Sequence, residues 1–385
     1  MKNQEIKWWL AGIIIILSIA SAWCLTTYIG PDIASLDIFK PTNKKGDFRI
    51  TDIYNAVEMN NLNEIGGREK SEDVVIISID QLGRKETLEV IHTVSDMHPA
   101  AIGLDFPFED PEPLGEEVVN TILFNNLIVS ANKIDPKTYE VIPLSFYETM
   151  YDDLSTGFVN IDAANTWNVI RTFHPYVIGK NGDTIPNIAL SLARIARPDR
   201  AQALIARNKS SEVIDFVSRE IRIIPHKRLT ESGIEQYIRG KVVLIGDTAY
   251  TPDIRITPLK ELMAGVQIHA YAVQTILESS YIDSWPTWRI WLIAFVGSLF
   301  FLIILQIAKK YLKDSGNWLI RVCQFGLMLL IVLWGCHIFS EDHTYADFSI
   351  VIVMLGFSAL VFDIAYALIG ASKILFKIIN KFIRK

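Results

Sequence analysis

Four long apolar blocks constrain this chain more than any other feature of its sequence. Residues 8–29 carry no charged side chain, and three later blocks cover 288–308, 318–339 and 348–370. At about 1.5 Å per residue, a helix of roughly 20 such residues crosses the hydrocarbon core of a bilayer, about 30 Å thick. The sequence therefore predicts four transmembrane helices, one N-terminal and three C-terminal.

The first block has a second interpretation. Ala20, Ser21 and Ala22 follow a short basic start and form an A-x-A-like sequence, as at the cleavage site of a secretory signal peptide. The apolar core of a signal peptide is usually only about 7–15 residues long. This block is longer, and the bulky Trp23 would follow the cut. We therefore favour an uncleaved membrane anchor.

The distribution of basic residues predicts the orientation, because cytoplasmic loops are enriched in Lys and Arg. Residues 1–7, 308–317 and 371–385 together contain ten basic and two acidic residues, whereas the loop 340–347 has three acidic residues and no Lys or Arg. Both termini of a multi-pass protein of the inner cell membrane are therefore expected in the cytoplasm. The predicted regions are the terminus and first helix (1–29), an extracytoplasmic domain (30–287), three helices (288–370) and a basic tail (371–385).

The composition of the outer segment excludes several classes of protein. Residues 30–288 contain 25 basic and 37 acidic residues, which argues against a nucleic-acid partner, since such proteins present a basic face. All three cysteines lie in the apolar blocks. The outer segment can therefore form neither a disulfide nor a zinc site with thiolate ligands.

Three short apolar runs in the outer segment, each ending at an aspartate, are typical of parallel strands buried on both faces. These runs are 74–80, 101–105 and 242–247. Helical spacing over 84–97 joins the first two into a right-handed βαβ unit. The pattern predicts more helices at 112–125, 186–197 and 264–279, and more strands at 127–131, 157–161 and 169–178. We predict one α/β extracytoplasmic domain with a largely parallel sheet.

The order of these segments resembles the second type of CHASE domain, the cyclase/histidine-kinase-associated sensory extracellular domain. The resemblance implies a bacterial transmembrane receptor with one N-terminal span, an outer α/β domain and three C-terminal spans. It rests on DFRITDIY at 47–54, VVIISID at 74–80 with Arg84, AAIGLDF at 100–106, GFVN at 157–160 with Arg171, IPNIAL at 185–190, GKVVLIGD at 240–247, Thr257-Pro258 and AGVQIHA at 264–270.

Many members of that family continue after the last span into a kinase or cyclase domain. Here only residues 371–385 follow the fourth block. The resemblance therefore implies a sensor that is not itself an enzyme and that signals through a separate cytoplasmic or membrane partner, with a homodimer left open.

The spacing of Lys373, Lys377 and Lys381 predicts a basic amphipathic helix suited to an anionic inner leaflet. A plain stop-transfer anchor and a partner-docking helix are the alternatives.

Ligands of open parallel sheets bind at the carboxyl ends of the strands, near a topological switch point. Clustered carboxylates at such an edge repel one another unless a cation or an arginine compensates their charge. The predicted ligand-binding residues are the aspartates at or just beyond the strand ends and two arginines near them in sequence: Asp80, Arg84, Asp105, Asp247, Asp253 and Arg255.

Three interpretations of these aspartates stay open. Asp80, Asp105 and Asp247 would be the ligands if the site holds a divalent cation, which prefers oxygen ligands. Each aspartate could instead cap a helix or a turn. An envelope hydrolase that uses the aspartates to hold a catalytic metal is the third, but the chain has no H-E-x-x-H, G-x-S-x-G or Walker sequence.

Asp363 is a carboxylate inside the fourth apolar block, about seven residues from its cytoplasmic end. Such a group is costly in a membrane and is expected to have a partner or a proton. Arg321 lies in the same leaflet in the third block, and we predict that the two residues form an ion pair. A protonated or hydrated Asp363 is the alternative.

Overall fold

The computed structural model describes residues 8–28, 50–64, 66–80, 82–151, 153–161, 169–249, 253–259, 262–311 and 316–383 of the 385-residue chain. The side chains of the basic tail from residue 373 onward lie outside the described part, so its amphipathic character stays a prediction. The chain divides into two compact units. Asn55–Ile282 form the outer unit, whereas the membrane unit contains residues 8–28 and 50–54 and the chain from Asp283 onward.

The described helices are α1 (Trp8–Tyr28), α2 (Ile50–Glu64), α3 (Arg84–Asp96), α4 (Gly115–Leu123), α5 (Ile188–Ala196), α6 (Pro198–Ala206), α7 (Gly265–Glu278), α8 (Thr287–Tyr311), α9 (Gly316–Asp342) and α10 (Ser349–Ile383). The described strands are β1 (Lys70–Ser78), β2 (Ala101–Leu104), β3 (Ile128–Ile134), β4 (Val141–Ile142), β5 (Thr156–Phe158), β6 (Thr172–Phe173), β7 (Tyr176–Ile178), β8 (Thr184–Pro186), β9 (Glu212–Val213), β10 (Glu220–Pro225), β11 (Val242–Gly246), β12 (Ile254–Ile256), β13 (Leu262–Ala264), β14 (Asp283–Ser284) and β15 (Thr344–Tyr345).

The outer unit is built on one sheet with the strand order β10-β1-β11-β2-β3-β4, and β5 also pairs with β3. All of its described pairings are parallel except that of β3 with β4. The predicted α/β domain with a largely parallel sheet is confirmed. The short pairs β6-β9, β7-β8 and β12-β13 are antiparallel.

Two hydrophobic cores cover the two faces of this sheet. Because successive side chains of a strand point to opposite faces, Val74 and Ile76 of β1 pack with α5, α6 and α7, whereas Val75 and Ile77 pack with α3 and α4. β11 divides its residues between the same two cores. The continuous apolar runs of the sequence are thus strands between two helical layers.

Most predicted elements are present with shorter bounds, and the differences have local causes. The predicted strand 169–178 is divided into β6 and β7, because Pro175 lies between them and has no N–H for a sheet. Two helices, α2 and α6, were not predicted from the sequence. Pro198 at the first position of α6 is a helix-start signal that could have revealed it.

The membrane unit contains three described helices that are long and apolar enough to cross a bilayer: Thr287–Ala308, Ile320–Asp342 and Ser349–Ile369. The three predicted C-terminal apolar helices are therefore confirmed. The apolar stretch within α1, Gly12–Leu25, is shorter than these three spans, so the fourth span stays a prediction. Within this unit the buried Tyr54 of α2 donates a hydrogen bond from its hydroxyl to the Ala346 carbonyl oxygen at 2.8 Å.

We predict that Gly157→Ala destabilises the protein. An added Cβ would lie 2.5 Å from the backbone Cα of Ile188, which cannot rotate away as a side-chain end could. Overpacking of this kind typically costs about 1–3 kcal/mol. We expect a lower melting temperature of the full-length protein in detergent. Gly115→Ala is the control, because its nearest neighbour would lie at 3.4 Å; equal melting temperatures of the two variants would contradict the close approach of β5 and α5.

Candidate functional site

The aspartates predicted at strand ends come together at one edge of the sheet. β11 lies between β1 and β2, and the strand register places the last residues of these three strands level with one another. Asp247 and Asp105 follow β11 and β2 directly, and Asp80 lies two residues beyond β1. The loops that carry the three aspartates therefore leave the same edge.

Asp80 belongs to a network of hydroxyl groups. Its Oδ1 lies 2.5 Å from Ser78 Oγ, which lies 2.7 Å from Thr248 Oγ1. The Thr248 N–H also donates to Asp80 Oδ1, at 3.3 Å. Desolvation alone would raise the pKa of Asp80, but the hydrogen bonds from Ser78 and Thr248 together outweigh it and hold this pKa below its ordinary value. Asp80 is therefore ionised at neutral pH.

Asp247 holds the turn that follows β11. Its Oδ1 accepts a hydrogen bond from the Ala249 N–H at 2.8 Å, the geometry of an Asx turn. This contact agrees with the alternative in which a strand-end aspartate stabilises a turn.

Asp105 and Asp253 form a second group with different electrostatics. Burial and the nearby charge of Asp253 raise the pKa of Asp105 well above its ordinary value, and Lys133 opposes this effect. Burial also raises the pKa of Asp253, although the Gly265 N–H and the Arg255 guanidinium favour its ionised form. Two such carboxyl groups favour a proton or a cation between them.

The position of Asp253 is set by the start of α7. Its Oδ2 accepts a hydrogen bond from the Gly265 N–H at 2.8 Å, and Arg255 Nη2 lies 3.8 Å from its Oδ1. An added Cβ at Gly265 would collide with the Asp253 carboxylate, which would have to move away from the helix start. The positive end of the helix dipole favours the negative charge there. Asp253 thus caps a helix, and Arg255 is the cation beside it.

Arg84 does not join this group. Its Nη1 donates to the Pro113 carbonyl oxygen at 2.9 Å, and its guanidinium lies 5.7 Å from the centre of the Phe108 ring. Its contacts with described residues involve none of the strand-end aspartates, so its expected role as their counter-charge is not seen. The reason is that Arg84 opens α3, from where it reaches the segment before α4.

Three residues of this edge were not identified from the sequence: Ser78, Thr248 and Lys133. Thr248 could have been suspected, because it follows Asp247 directly. Ser78 is part of an apolar strand, and Lys133 lies on β3, far from Asp105 in sequence, so no local signal connects them to the site.

In the part of the chain that the structure describes, Asp80, Asp105 and Asp247 are not gathered around one point as the ligands of a metal ion. Among the residues that the structure describes, no three His, Cys, Asp or Glu side chains lie close enough together to hold a metal ion. Asp80 and Asp247 instead bond to their neighbours, and Asp105 is coupled to Asp253. A cation at the second group stays a prediction.

An open depression on the helical surface lies away from the predicted residues. Its lining includes His92 of α3 and Glu116, Glu117 and Asn120 of α4. None of the strand-end aspartates lines it, and its carboxylates are exposed to solvent. We therefore place the candidate site at the sheet edge.

Arg321 and Asp363 are brought together within the membrane unit. The Arg321 guanidinium forms an ion pair with the Asp363 carboxylate, and its Nη1 donates to Gln324 Oε1 at 2.6 Å. Gln324 in turn donates through Nε2 to the Leu355 carbonyl oxygen at 3.3 Å. This network joins α9 to α10.

The chain matches the family described as the CHASE2 domain over residues 47–308, well over half of its length. The matched region contains the whole outer unit from Asn55 to Ile282 and extends into α8. No curated protein and no solved structure shows significant similarity to the chain.

We predict that Asp363→Ala lowers the folded yield of the protein in detergent, because Arg321 would lose its counter-charge within a membrane span. The double exchange Arg321→Asp with Asp363→Arg should recover part of that yield, measured as the monodisperse fraction in size-exclusion chromatography. Glu341→Ala, at an exposed position near the end of α9, is the control and should behave like wild type. Defective single variants with no recovery in the exchange would mean that the pair does not stabilise the protein.

Proposed function

Because the chain belongs to the CHASE2 domain family, whose members are sensory extracellular domains, we propose that it is a bacterial membrane-anchored sensor. It is a membrane protein with an α/β domain outside the membrane. In our proposal this domain detects a small polar molecule or a cation, and the transmembrane helices pass the signal to a separate partner protein. The protein would lie in the inner membrane with both termini in the cytoplasm.

The main support for this function is the direction of the chain connections that follow β11 and its two neighbouring strands. The loops after β1 and β2 lead to α3 and α4 on one face of the sheet, whereas the chain after β11 leads to α7 on the other face. Adjacent connections that diverge in this way leave a crevice at the strand ends, which is where open α/β sheets bind ligands. Asp80, Asp105 and Asp247 lie at the strand ends that would border such a crevice.

The charges at the crevice favour a cationic ligand, either a metal ion or a protonated amine. Asp80 is ionised, and burial raises the pKa values of both Asp105 and Asp253, with the charge of Asp253 adding to the effect on Asp105. A cation there would replace the proton that these two carboxyl groups otherwise favour. An anionic ligand would add to the repulsion.

We predict the orientation from the charge asymmetry of the loops. A periplasmic phosphatase reporter fused after residue 200 should be active, and one fused after Lys385 should be inactive. Cytoplasmic reporters at the same two positions should give the opposite pattern and serve as the control. Phosphatase activity at Lys385 and none at residue 200 would overturn this orientation.

We predict that a bound cation raises the melting temperature of the full-length protein in detergent. A ligand at a hundredfold excess over its Kd stabilises a fold by about 2.7 kcal/mol. Calcium, magnesium and spermidine, each at millimolar concentration, would separate a metal site from an amine site. Asp105→Asn should remove the shift and leave the protein folded.

The matched control for this experiment is Glu116→Gln, an exposed carboxylate on α4 that should keep the shift. Absence of any shift in the wild type, or unfolding of Asp105→Asn without ligand, would mean that the strand-end aspartates are structural. Metal-dependent hydrolysis of a generic phosphoester that is lost in Asp105→Asn would instead support the envelope hydrolase.

A further inference from the structure

α7 connects the candidate site to the point where the chain leaves the outer unit. It begins at Gly265, whose N–H binds Asp253, and ends at Glu278. After the exit segment, residues 279–282, the chain enters the membrane unit at Asp283. An event at the C-terminal end of α7 therefore acts directly before the connection to the transmembrane helices.

The Glu278 carboxylate shares the Arg219 guanidinium with two other carboxylates. Arg219 lies 3.8 Å from Glu278 Oε1, 3.6 Å from Glu69 Oε2 and 4.0 Å from Glu72 Oε2. None of these contacts is as short as a hydrogen bond. Glu69 and Glu72 are both 83% exposed and well hydrated, whereas the Glu278 side chain is only 14% exposed. Glu278 is therefore the member whose charge is poorly compensated.

Further negative charge faces Glu278 from two other segments, Asp73 of β1 and Asp215 between β9 and β10. Burial, together with Asp73, Asp215 and Glu72, raises the pKa of Glu278 to about 7 against the opposing charge of Arg219. Glu278 is also the last residue of α7, where the negative end of the helix dipole disfavours an anion.

A buried acceptor without a donor lies one helical turn before Glu278. Gln274 is 0% exposed, and its Nε2 donates to the Arg219 carbonyl oxygen at 3.2 Å. That contact fixes the orientation of the amide, because a carbonyl oxygen can only accept. Gln274 Oε1 is then left without a hydrogen-bond partner among the described residues, and so is Glu278 Oε1.

A proton on the Glu278 carboxylate would supply the hydrogen-bond donor that both Gln274 Oε1 and Glu278 Oε1 lack. Side chains four residues apart are neighbours on a helix surface, so Gln274 and Glu278 lie side by side on α7. A neutral carboxyl group carries an O–H donor, which the carboxylate does not have. Protonation of Glu278 would also remove one of the negative charges that compete for Arg219.

We propose that Glu278 is a proton-binding site, and that proton uptake from an acidified extracytoplasmic space holds the last turn of α7 and the exit segment in one arrangement. This inference rests on the proposed sensory function and names external acidity as a signal that the outer unit detects. It assigns a role to a residue outside the strand-end site.

The exit segment is suited to respond, because its polar groups are only partly satisfied. Ser279 has a left-handed backbone with a φ of 56° and accepts a hydrogen bond through Oγ from Arg200 Nη1 at 2.7 Å. The hydroxyl groups of Ser280 and Tyr281 are buried without hydrogen-bond partners among the described residues. Buried polar groups of this kind cost free energy, so the segment has little margin over other arrangements.

The expected pH dependence follows from the direction of the pKa shift. The folded protein binds the proton near pH 7, whereas an ordinary glutamate binds it near 4.5. Between these pH values the folded state holds more protons than the unfolded state, so acidification stabilises the fold. This contribution is complete below about pH 4.5 and is lost as the pH rises through about 7.

The test is hydrogen–deuterium exchange of the full-length protein in lipid nanodiscs, corrected for the intrinsic pH dependence of amide exchange. In the wild type, protection of the peptide 274–284 should rise about tenfold from pH 8 to pH 6, as one raised pKa requires. Glu278→Gln should abolish this rise. Glu69→Gln, which removes an exposed partner of the same arginine, is the matched control and should keep it.

Two further variants keep the proposal falsifiable. Arg219→Gln should move the midpoint to higher pH, because the opposing cation is lost. Asp105→Asn should keep the response, so a failure here and a failure of the strand-end site can be told apart. A pH-independent wild type, or a response that persists in Glu278→Gln, would overturn the proposal. If Glu278→Gln does not fold, an unchanged midpoint in Arg219→Gln would overturn it equally.

Discussion

The outer unit depends on the burial of β1 and β11 on both faces. Val75 and Ile77 fill one core while Val74 and Ile76 fill the other, and each fully buried side chain of this size contributes about 1.5–3 kcal/mol. A sheet with two apolar faces requires helices on both, and parallel strands require crossovers that begin at their carboxyl ends. The gathering of polar loops at one edge is therefore a consequence of how the core is buried.

At that edge, aspartate side chains have pKa values that are shifted in opposite directions. Desolvation disfavours the charge of Asp80, but hydrogen bonds from the Ser78 hydroxyl and from the N–H and hydroxyl of Thr248 outweigh it and lower the pKa of Asp80. Asp105 has burial and the charge of Asp253 acting in the same direction, and its pKa is raised. An ionised carboxylate and a protonatable pair thus lie on neighbouring strand ends. This pairing of an ionised carboxylate with a protonatable pair is the basis of the cation site proposed above.

α7 and the network within the membrane unit are the elements through which the proposed signal would pass. α7 is buried over most of its length. A helix that is packed in this way moves as a unit, so a displacement at one end would also displace the other. In the membrane unit, the pair of Arg321 and Asp363 and the side chain of Gln324 join α9 to α10 through polar contacts, where lipid offers no competing hydrogen bonds. α10 continues for several turns beyond its apolar span.

The amino-acid pattern alone was enough to identify which segments are buried and whether they are strands or helices. The runs at 74–80, 101–105 and 242–247 became β1, β2 and β11, because an uninterrupted apolar strand is stable only between two covered faces. The three C-terminal apolar helices followed from length and hydropathy alone, since the bilayer fixes both. The aspartates at the strand ends were found because each of the three apolar runs ends at one of them.

Which of these segments are neighbours can be read from the folded chain but not from the sequence. Nothing in the sequence shows that β11 inserts between β1 and β2, because local periodicity reports the buried face of a segment and not its distant partner. Such pairings explain three contacts that the sequence did not predict. Lys133 acts on Asp105, Arg84 bonds to Pro113 instead of a strand-end aspartate, and Arg219 lies near several carboxylates. The pKa of a side chain depends on the groups that surround it in space. The packing of the two hydrophobic cores against the sheet determines which groups these are.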